Sequence, residues 1–218
     1  MLKAVIFDMD GLMIDSERVT YECYKKYLSD LGMEITEEFY KTLLGQTKSV
    51  CKGKFLKQYG DEFPYEDSIK MVHEMMAEQF LKEGIPVKKG LLELLKYLKN
   101  NNYKTIVATS SERKRVDVIL KMAGIKEYFD NSICGDEVKN GKPDPEVFLK
   151  SCEKLGVSAN EAVVIEDSEA GIQAAFDGGI KVICVPDMKY PEQKYEEMAI
   201  SVCEDLVAVK TYIEQYCQ

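Results

Sequence analysis

The spacing of hydrophobic residues changes twice along the chain. A short apolar run at Lys3–Phe7 is followed by acidic residues and Gly11, which predicts a buried strand that ends at a turn. From Ser16 to about Gly84, apolar residues recur at helical spacing, which predicts about four helices and no strand. Beyond Pro86, short apolar runs alternate with helical patterns. The sequence therefore predicts a helical segment inserted after the first strand.

The chain beyond this insert has the pattern of an α/β fold. Strands that alternate with helices favour a parallel sheet covered by helices on both faces, so we predict a doubly wound parallel sheet. The predicted core domain comprises residues 1–15 and 85–218, and the predicted helical domain comprises residues 16–84. Further strands are predicted at Thr105–Ala108, Ser132–Cys134, Ala162–Ile165 and Lys181–Val185, and helices at Leu91–Lys99, from a cap at Ser110 or Ser111 to Ala123, at Glu146–Leu155, Ala170–Phe176 and Val207–Tyr216.

The composition is that of an ordinary globular protein, and the charge narrows the classes of partner. Hydrophobic residues make up 45% of the 218 residues, and the net charge is −9. An acidic surface repels nucleic-acid phosphates and anionic lipid headgroups, so we expect neither partner. The seven cysteines include no C-x-x-C pair, which favours a reduced, cytoplasmic chain. Asp8 and Asp10 interrupt the first apolar run too early for a signal peptide.

Several common catalytic motifs are missing from the sequence. There is no G-x-G-x-x-G dinucleotide fingerprint, no G-x-S-x-G nucleophile elbow and no cysteine followed by arginine six positions later. Gly141-Lys142 resembles the end of a P-loop, but Pro143 replaces its hydroxyl residue. His73 is the single histidine and lies in the helical segment, which disfavours histidine-based catalysis and multi-histidine zinc sites.

Polar residues follow four of the predicted strands. Asp8 and Asp10 follow the first strand, and Thr109-Ser110-Ser111 follows the second. Lys142 precedes a predicted helix after the third strand, and Glu166-Asp167-Ser168 follows the fourth. Because the carboxyl ends of parallel strands meet at one edge of a sheet, we expect these groups to lie together. Neighbouring carboxylates repel each other, so a cation must bridge them, and Mg²⁺ is a hard ion that prefers oxygen ligands.

Three tracts make the chain resemble the haloacid dehalogenase superfamily. They read FDMDG around Asp8, GKPDPEVF around Lys142 and IEDSEAGIQAA around Asp167, and Thr109 matches the remaining motif. These tracts are typical of the phosphatase and phosphomutase branch of the superfamily. The resemblance spans almost the whole chain and implies a Rossmann-like core with a helical cap that closes over the substrate. Asp10 separates the chain from the dehalogenases themselves, which lack this residue.

The resemblance implies a role for each matching residue. Asp8 is expected to attack phosphorus and form an aspartyl phosphate, and Asp10 is expected to serve as general acid and base. A free aspartate is ionised at neutral pH, so we expect Asp8 to need no activating base. Thr109 and the Ser110 amide are expected to bind phosphate oxygens, and Lys142 is expected to neutralise Asp8 and the phosphoryl group.

The resemblance also implies a Mg²⁺ cofactor. Asp8, the main-chain carbonyl of Asp10, and Asp167 are the expected ligands of this ion. Glu166 is expected to assist through a water molecule.

The helical domain is expected to decide which substrate is used. Its tract LLGQTKS resembles a loop of β-phosphoglucomutases that contacts a second phosphate, and Lys48 stands where those enzymes carry arginine. Arg18 is the second candidate for a contact with the substrate. The same mutases carry a histidine that moves the catalytic acid into place, and here that position is Thr20.

Two enzymatic functions therefore stay open. We predict a monomeric Mg²⁺-dependent phosphatase of small phosphorylated metabolites, sugar phosphates in particular, because Thr20 disfavours a mutase. The alternative is an isomerase of the β-phosphoglucomutase type that interconverts sugar phosphates. A non-catalytic protein that binds phosphorylated metabolites is disfavoured because both Asp8 and Asp10 are present.

Overall fold

The structure, a computed structural model, describes residues 1–216. The chain forms two compact units, one containing Met1–Asp15 and the chain from Ile85 onward, and the other containing Ser16–Gly84. Within residues 1–216, every helix is too short or too polar to span a bilayer.

The unit Ser16–Gly84 consists of four α-helices among its described residues, as the spacing of apolar residues predicts. Its interior is aromatic, and the buried Phe55 lies at its centre. The centroid of this ring lies between 5.2 and 5.9 Å from those of Tyr24, Phe39, Tyr59, Phe63 and Tyr65. The helices are α1 (Ser16–Asp30), α2 (Glu37–Lys41), α3 (Lys48–Tyr59) and α4 (Tyr65–Glu83).

The other unit contains a parallel sheet with the strand order β3-β2-β1-β4-β5-β6. This order confirms the predicted doubly wound parallel sheet. The chain adds β2 and β3 on one side of β1 and then returns to add β4, β5 and β6 on the other side, so the strand order switches between β1 and β4. The edge strand β6 has only two residues and was not predicted. The strands are β1 (Ala4–Phe7), β2 (Lys104–Ala108), β3 (Asn131–Ile133), β4 (Ala162–Glu166), β5 (Lys181–Cys184) and β6 (Ser201–Val202).

Helices accompany the sheet, and all five that the sequence predicts are present. Strands β1 and β4 are buried along their whole length, which explains why they are continuous apolar runs. The short α9 was not predicted. The helices are α5 (Leu91–Asn100), α6 (Arg113–Met122), α7 (Glu146–Leu155), α8 (Glu169–Asp177), α9 (Gln193–Glu196) and α10 (Leu206–Tyr216).

The start of α6 differs from the prediction. Glu112 occupies the N-cap position without a cap bond from its own side chain, and the Asp136 carboxylate accepts from the first helical amide, that of Arg113, at 3.0 Å. The expectation that Ser110 or Ser111 caps it is wrong, because the helix begins at Arg113 and the Ser111 hydroxyl bonds to side chains: it donates to the Asp10 carboxylate at 2.7 Å and accepts from Arg115. The residues after β2 therefore serve the edge of the sheet rather than the helix.

The sheet register aligns the ends of three neighbouring strands. Phe7 at the end of β1 pairs with Ile165 of β4, and Ile165 pairs with Ile183 of β5. Residues that follow these strands therefore share the carboxyl edge of the sheet, beside the switch between β1 and β4. Ligands of open α/β sheets bind at such a point.

Candidate active site

A tight loop after β1 presents Asp8 and Asp10. The Asp8 amide donates to the carbonyl of Ile165 at 3.1 Å and so extends the pairing with β4 by one residue. Gly11 then adopts a φ of +84°, a conformation that L side chains rarely adopt. The amide of Met13 returns to the carbonyl of Met9 at 2.9 Å and closes the loop.

Lys142 joins the first strand to the fourth. Its Nζ donates to Asp8 Oδ1 at 2.5 Å, to Glu166 Oε1 at 2.6 Å and to the main-chain carbonyl of Ala108 at 3.2 Å. These three bonds use every donor of the ammonium group. Burial alone would lower the pKa of Lys142, but the charges of Asp8 and Glu166 raise it. The lysine is therefore a permanent positive charge beside Asp8.

Glu166 is fully buried and has protein partners at both carboxylate oxygens. Oε1 accepts from Lys142, and Oε2 accepts from the amides of Asp167 and Ser168 and from the Ser168 hydroxyl, at 2.8 to 2.9 Å. Gly171 in the first turn of α8 makes room for this carboxyl, because a Cβ there would overlap Glu166 Oε1. These contacts hold Lys142 and the start of α8 in place. The expectation that Glu166 assists a metal ion through water stays a prediction.

Burial sets the charge of Asp8 and Asp167. Loss of hydration raises the pKa of Asp8 to about 7; the Lys142 charge acts to lower it, and Glu166 adds to the rise. The expectation that Asp8 needs no activating base rests on the pKa of a free aspartate, which neglects this burial, and it stays a prediction. Burial also raises the pKa of Asp167 well above its usual value, and the charges of Glu166 and Asp8 raise it further. Added positive charge at this edge of the sheet would favour the ionised form of both carboxyls.

Asp10 is held by a residue that the sequence analysis did not single out. Arg115 on α6 pairs with both carboxylate oxygens of Asp10, at 2.6 and 2.7 Å, and the Ser111 hydroxyl donates to one of them. Such a two-point pair binds the ionised carboxylate and sets its orientation. The nearest signal in the sequence is the basic run Arg113-Lys114-Arg115 at the start of α6, but a sequence does not show which of these side chains reaches back to the loop.

Thr109 and Ser110 lie at the end of β2 as predicted. Thr109 is buried, its amide donates to Ile133 in β3, and its hydroxyl accepts from the amide of Ser111 at 3.1 Å. Ser110 is exposed, and its carbonyl packs so closely on Gly135 that a Cβ there would overlap it. Binding of phosphate by these two residues stays a prediction.

The donor set at the sheet edge fits a hard divalent cation. Asp167 Oδ1 is buried and has no hydrogen-bond partner in the structure, an arrangement that costs free energy unless a cation or water occupies the position. No group of three or more histidine, cysteine, aspartate or glutamate side chains in residues 1–216 is arranged to hold a metal. The predicted set needs only two direct side-chain ligands, Asp8 and Asp167, and is completed by the carbonyl of Asp10.

The predicted contacts of the helical unit lie on its surface. Lys48 begins α3, and Arg18 lies on α1; both are exposed. Thr20 is partly buried, and its hydroxyl lies 2.8 Å from the carbonyl of Ser16 and 3.1 Å from the sulfur of Met76. A hydroxyl has one hydrogen to donate, so these local acceptors compete for it.

Comparison with known proteins identifies the family. Residues 5–185 match the haloacid dehalogenase-like hydrolases. The chain belongs to this family. The family membership and the fold that the sequence predicts are confirmed, and the chain is an enzyme.

Relatives of this haloacid dehalogenase-like hydrolase include proteins named as phosphatases and proteins named as β-phosphoglucomutases. A phosphorylated carbohydrates phosphatase from Thermotoga maritima is 34% identical over 182 residues, which cover 84% of each chain. A crystal structure of a Thermotoga maritima protein provisionally named a β-phosphoglucomutase has a TM-score of 0.82 and 29% identity, and it covers 98% of this chain and 100% of that one. A β-phosphoglucomutase structure from Clostridium difficile has a TM-score of 0.74 and 26% identity, with coverage of 99% and 96%.

Proposed function

We propose that the protein is a Mg²⁺-dependent phosphatase of small phosphorylated metabolites, with sugar phosphates as the first candidates. The reaction passes through an aspartyl phosphate on Asp8. The alternative, an isomerase of the β-phosphoglucomutase type, shares this intermediate. The similarity to a phosphorylated carbohydrates phosphatase supports the phosphatase, and the similarity to β-phosphoglucomutases supports the isomerase as the alternative.

The observation that carries the proposal is the bridge from Asp8 through Lys142 to Glu166. Lys142 donates to both carboxylates, and its own side chain is only 5% exposed. A buried ammonium that touches one oxygen of Asp8 places positive charge where an anionic phosphate must approach. It also aims the nucleophile, because the buried Glu166 prevents the lysine from turning away.

In the first half-reaction Asp8 attacks phosphorus. A bond forms between a carboxylate oxygen of Asp8 and phosphorus, and the bond from phosphorus to the alcohol oxygen of the substrate breaks. For this step Asp10 must leave its two-point pair with Arg115 and carry a proton, which it donates to that leaving oxygen, so the alcohol departs neutral. Thr109 and the Ser110 amide bind the phosphoryl oxygens, and Lys142 balances their charge.

In the second half-reaction water attacks the aspartyl phosphate. Asp10, now ionised, takes a proton from this water, and the bond between phosphorus and Asp8 breaks to release inorganic phosphate. Arg115 and Ser111 orient Asp10 between these steps, because together they contact both of its carboxylate oxygens.

Mg²⁺ would be held by Asp8, Asp167 and the main-chain carbonyl of Asp10, with Glu166 nearby through water. When bound, the ion supplies positive charge that favours ionised Asp8 and attracts the phosphate of the substrate. The unpartnered Oδ1 of Asp167 supports this assignment.

Hydrolysis is favoured over isomerisation by Thr20. A mutase must keep water from the phosphoenzyme while the sugar reorients, which requires control of the acid and base. The hydroxyl of Thr20 lies within hydrogen-bond distance of the carbonyl of Ser16 in its own helix, and it has no ionisable group with which to replace a histidine. Water is therefore the expected acceptor of the phosphoryl group.

Substrate selection is assigned to the helical unit, with Lys48 and Arg18 as the proposed contacts. We further propose that this unit serves as a cap that closes over the substrate, and that the enzyme is a cytoplasmic monomer. The six cysteines in the described residues are free, as expected in a reducing compartment.

A single screen tests the proposal. Purified protein is incubated with a panel of phosphorylated sugars, nucleotides and small acids, and released phosphate is measured with and without Mg²⁺. Isomerisation of β-glucose 1-phosphate to glucose 6-phosphate is followed in parallel, with a bisphosphate primer present. We expect phosphate release from one or more sugar phosphates, and no activity in excess chelator.

Three outcomes would decide against parts of the proposal. Isomerisation faster than phosphate release would establish the mutase alternative. Full activity in excess chelator would remove the metal from the mechanism. No turnover of any panel member, with the protein folded and Mg²⁺ bound, would leave a protein that binds phosphorylated metabolites without catalysis.

A further inference from the structure

A further buried carboxylate lies at the same edge of the sheet and was not predicted as a site residue. Asp187 follows β5, the strand that pairs with β4, and β4 leads into Asp167. The side chain of Asp187 is 7% exposed. We propose that Asp187 is a further carboxylate of the Mg²⁺ site, that its Oδ2 binds a water molecule on the ion, and that Lys88 positions it. This inference rests on the proposed function.

The hydrogen bonds of the described residues point to this oxygen. Only three buried side-chain nitrogen or oxygen atoms in residues 1–216 have no hydrogen-bond partner, and two of them are Asp167 Oδ1 and Asp187 Oδ2. A buried carboxylate oxygen without a donor is costly, because it has lost its water and gained nothing in return. Two such oxygens on neighbouring strand ends are the arrangement expected around a cation and its bound waters.

Both carboxyl groups face the loop that carries Asp8 and Asp10. A Cβ added at Gly11 would overlap the Asp167 carboxyl group and would lie 3.3 Å from Asp187 Oδ2. Gly11 is thus the point at which the loop after β1 meets the ends of β4 and β5.

Lys88 determines which oxygen of Asp187 is available. Its ammonium contacts Asp187 Oδ1 and also binds Asp15 Oδ1 at 3.1 Å. The amide of Lys88 donates to the carbonyl of Met13 at 3.0 Å, so the lysine is attached to the loop after β1. One oxygen of Asp187 is therefore held and neutralised, while Oδ2 stays without a donor.

The charges support a divalent ion with a bound water at Asp187. Five carboxyl groups, including the partly exposed Asp15, lie around the two ammonium groups of Lys142 and Lys88; the other four are Asp8, Glu166, Asp167 and Asp187. A divalent cation supplies positive charge that these two lysines do not provide. Mg²⁺ keeps several of its waters in proteins, and a carboxylate oxygen in its outer shell orients them.

The test measures Mg²⁺ binding by calorimetry without substrate. We expect Asp187→Asn to weaken the binding by about 10- to 100-fold, the usual cost of losing an outer-shell partner. Asp15→Asn is the matched control, because it removes the other partner of Lys88 and leaves Asp187 Oδ2 in place. We expect this control to change the affinity by less than about 3-fold, since Asp15 is partly exposed.

The outcomes separate this inference from the proposed function. If the wild-type chain binds Mg²⁺ and folded Asp187→Asn binds it equally well, Asp187 is only the partner of Lys88 and the inference is overturned. A wild-type chain that binds no Mg²⁺ would overturn the metal assignment and the inference together. Should Asp187→Asn fail to fold, crystals of wild-type protein with Mn²⁺ decide the question. We expect a metal-bound water about 2.8 Å from Asp187 Oδ2, and its absence would overturn the inference.

Discussion

The edge of the sheet and the surface of the helical unit present their polar residues in opposite ways. At the edge, Asp8, Lys142 and Glu166 are buried and bonded to one another. On the helical unit, Lys48 and Arg18 are exposed. The first arrangement determines charge and orientation closely, which suits the chemical steps that every substrate of the enzyme shares. The second leaves these side chains accessible to solvent, which suits contact with a substrate.

The two regions also differ in what holds them in place. Strand register aligns the residues of the edge, and Lys142 and Glu166 tie neighbouring strand ends together. The helical unit is held by stacked and edge-on aromatic rings around Phe55, none of which was predicted to take part in binding. We therefore expect substitutions at the edge to change the rate of reaction, and substitutions on the helical surface to change the substrate affinity.

The largest effect is expected for Asp8→Asn. An amide is not a nucleophile toward phosphorus, so kcat should fall by about 10⁴-fold or more, as it does when other enzymes lose their nucleophile. The change is nearly isosteric, and the far-ultraviolet circular dichroism spectrum should not change. Steady-state phosphate release from the best substrate of the screen measures the loss. Residual activity above a few per cent, in protein shown by mass spectrometry to be free of deamidation, would contradict the covalent mechanism.

A pair of glycine substitutions compares the two regions directly. In Gly171→Ala the added methyl overlaps the carboxyl of Glu166, which must move away from Lys142. We expect kcat to fall by about 10²-fold, because small displacements near reacting groups have effects of this size. Overpacking should also lower the free energy of unfolding by about 1–3 kcal/mol.

The matched control for Gly171→Ala is Gly53→Ala in α3 of the helical unit. A Cβ at Gly53 meets nothing within 4 Å, and alanine favours the helix by about 0.5–1 kcal/mol. The control should therefore raise the melting temperature and leave kcat unchanged. Equal melting temperatures and equal rates for the two variants would show that the carboxyl of Glu166 does not depend on Gly171.

The sequence predicted the site residues at the carboxyl edge of the sheet better than it predicted the residues that surround and orient them. Asp8 and Asp167 could be placed because each follows a buried strand, and parallel strands align such positions. The same rule would have identified Asp187, which follows β5 after Pro186, but no motif drew attention to it. Arg115 could not be found in this way, because it reaches Asp10 from a helix and its side-chain length and rotamer decide the contact.

The error at the start of α6 has a physical reason. The Ser111 hydroxyl was expected at a helix cap, yet it donates to the Asp10 carboxylate and accepts from Arg115, and these charged partners form stronger bonds than a neutral backbone amide. The expectation that Asp8 is ionised uses the pKa of a free aspartate, which neglects the burial that raises the pKa of this carboxyl. A sequence does not show which groups are buried beside one another.

Arg115→Met tests whether the residues around the edge belong to the reaction. The variant removes both contacts of Arg115 with the Asp10 carboxylate and keeps the bond from the Ser111 hydroxyl, so the carboxylate is oriented less closely. We expect kcat to fall by about 10-fold while KM changes little, since general acid and base catalysis depends on alignment. Arg115→Lys should recover part of the rate, because it restores the charge without the two-point geometry. Unchanged kcat in both variants would show that the Arg115–Asp10 pair does not contribute to the reaction and acts only as a surface ion pair.

The smallest effect is expected on the helical surface, at Lys48. Lys48→Met keeps most of the side-chain volume and removes the charge proposed to contact the substrate, so KM should rise by about 3- to 10-fold with kcat unchanged. Lys52→Met, one turn further along α3, is the matched control, because Lys52 already pairs with Glu66 at 2.7 Å. The two variants lose the same charge from the same helix, so a general electrostatic effect would raise both KM values equally. A rise for Lys48→Met alone assigns substrate contact to this position, whereas a fall in its kcat would place Lys48 with the residues of the sheet edge.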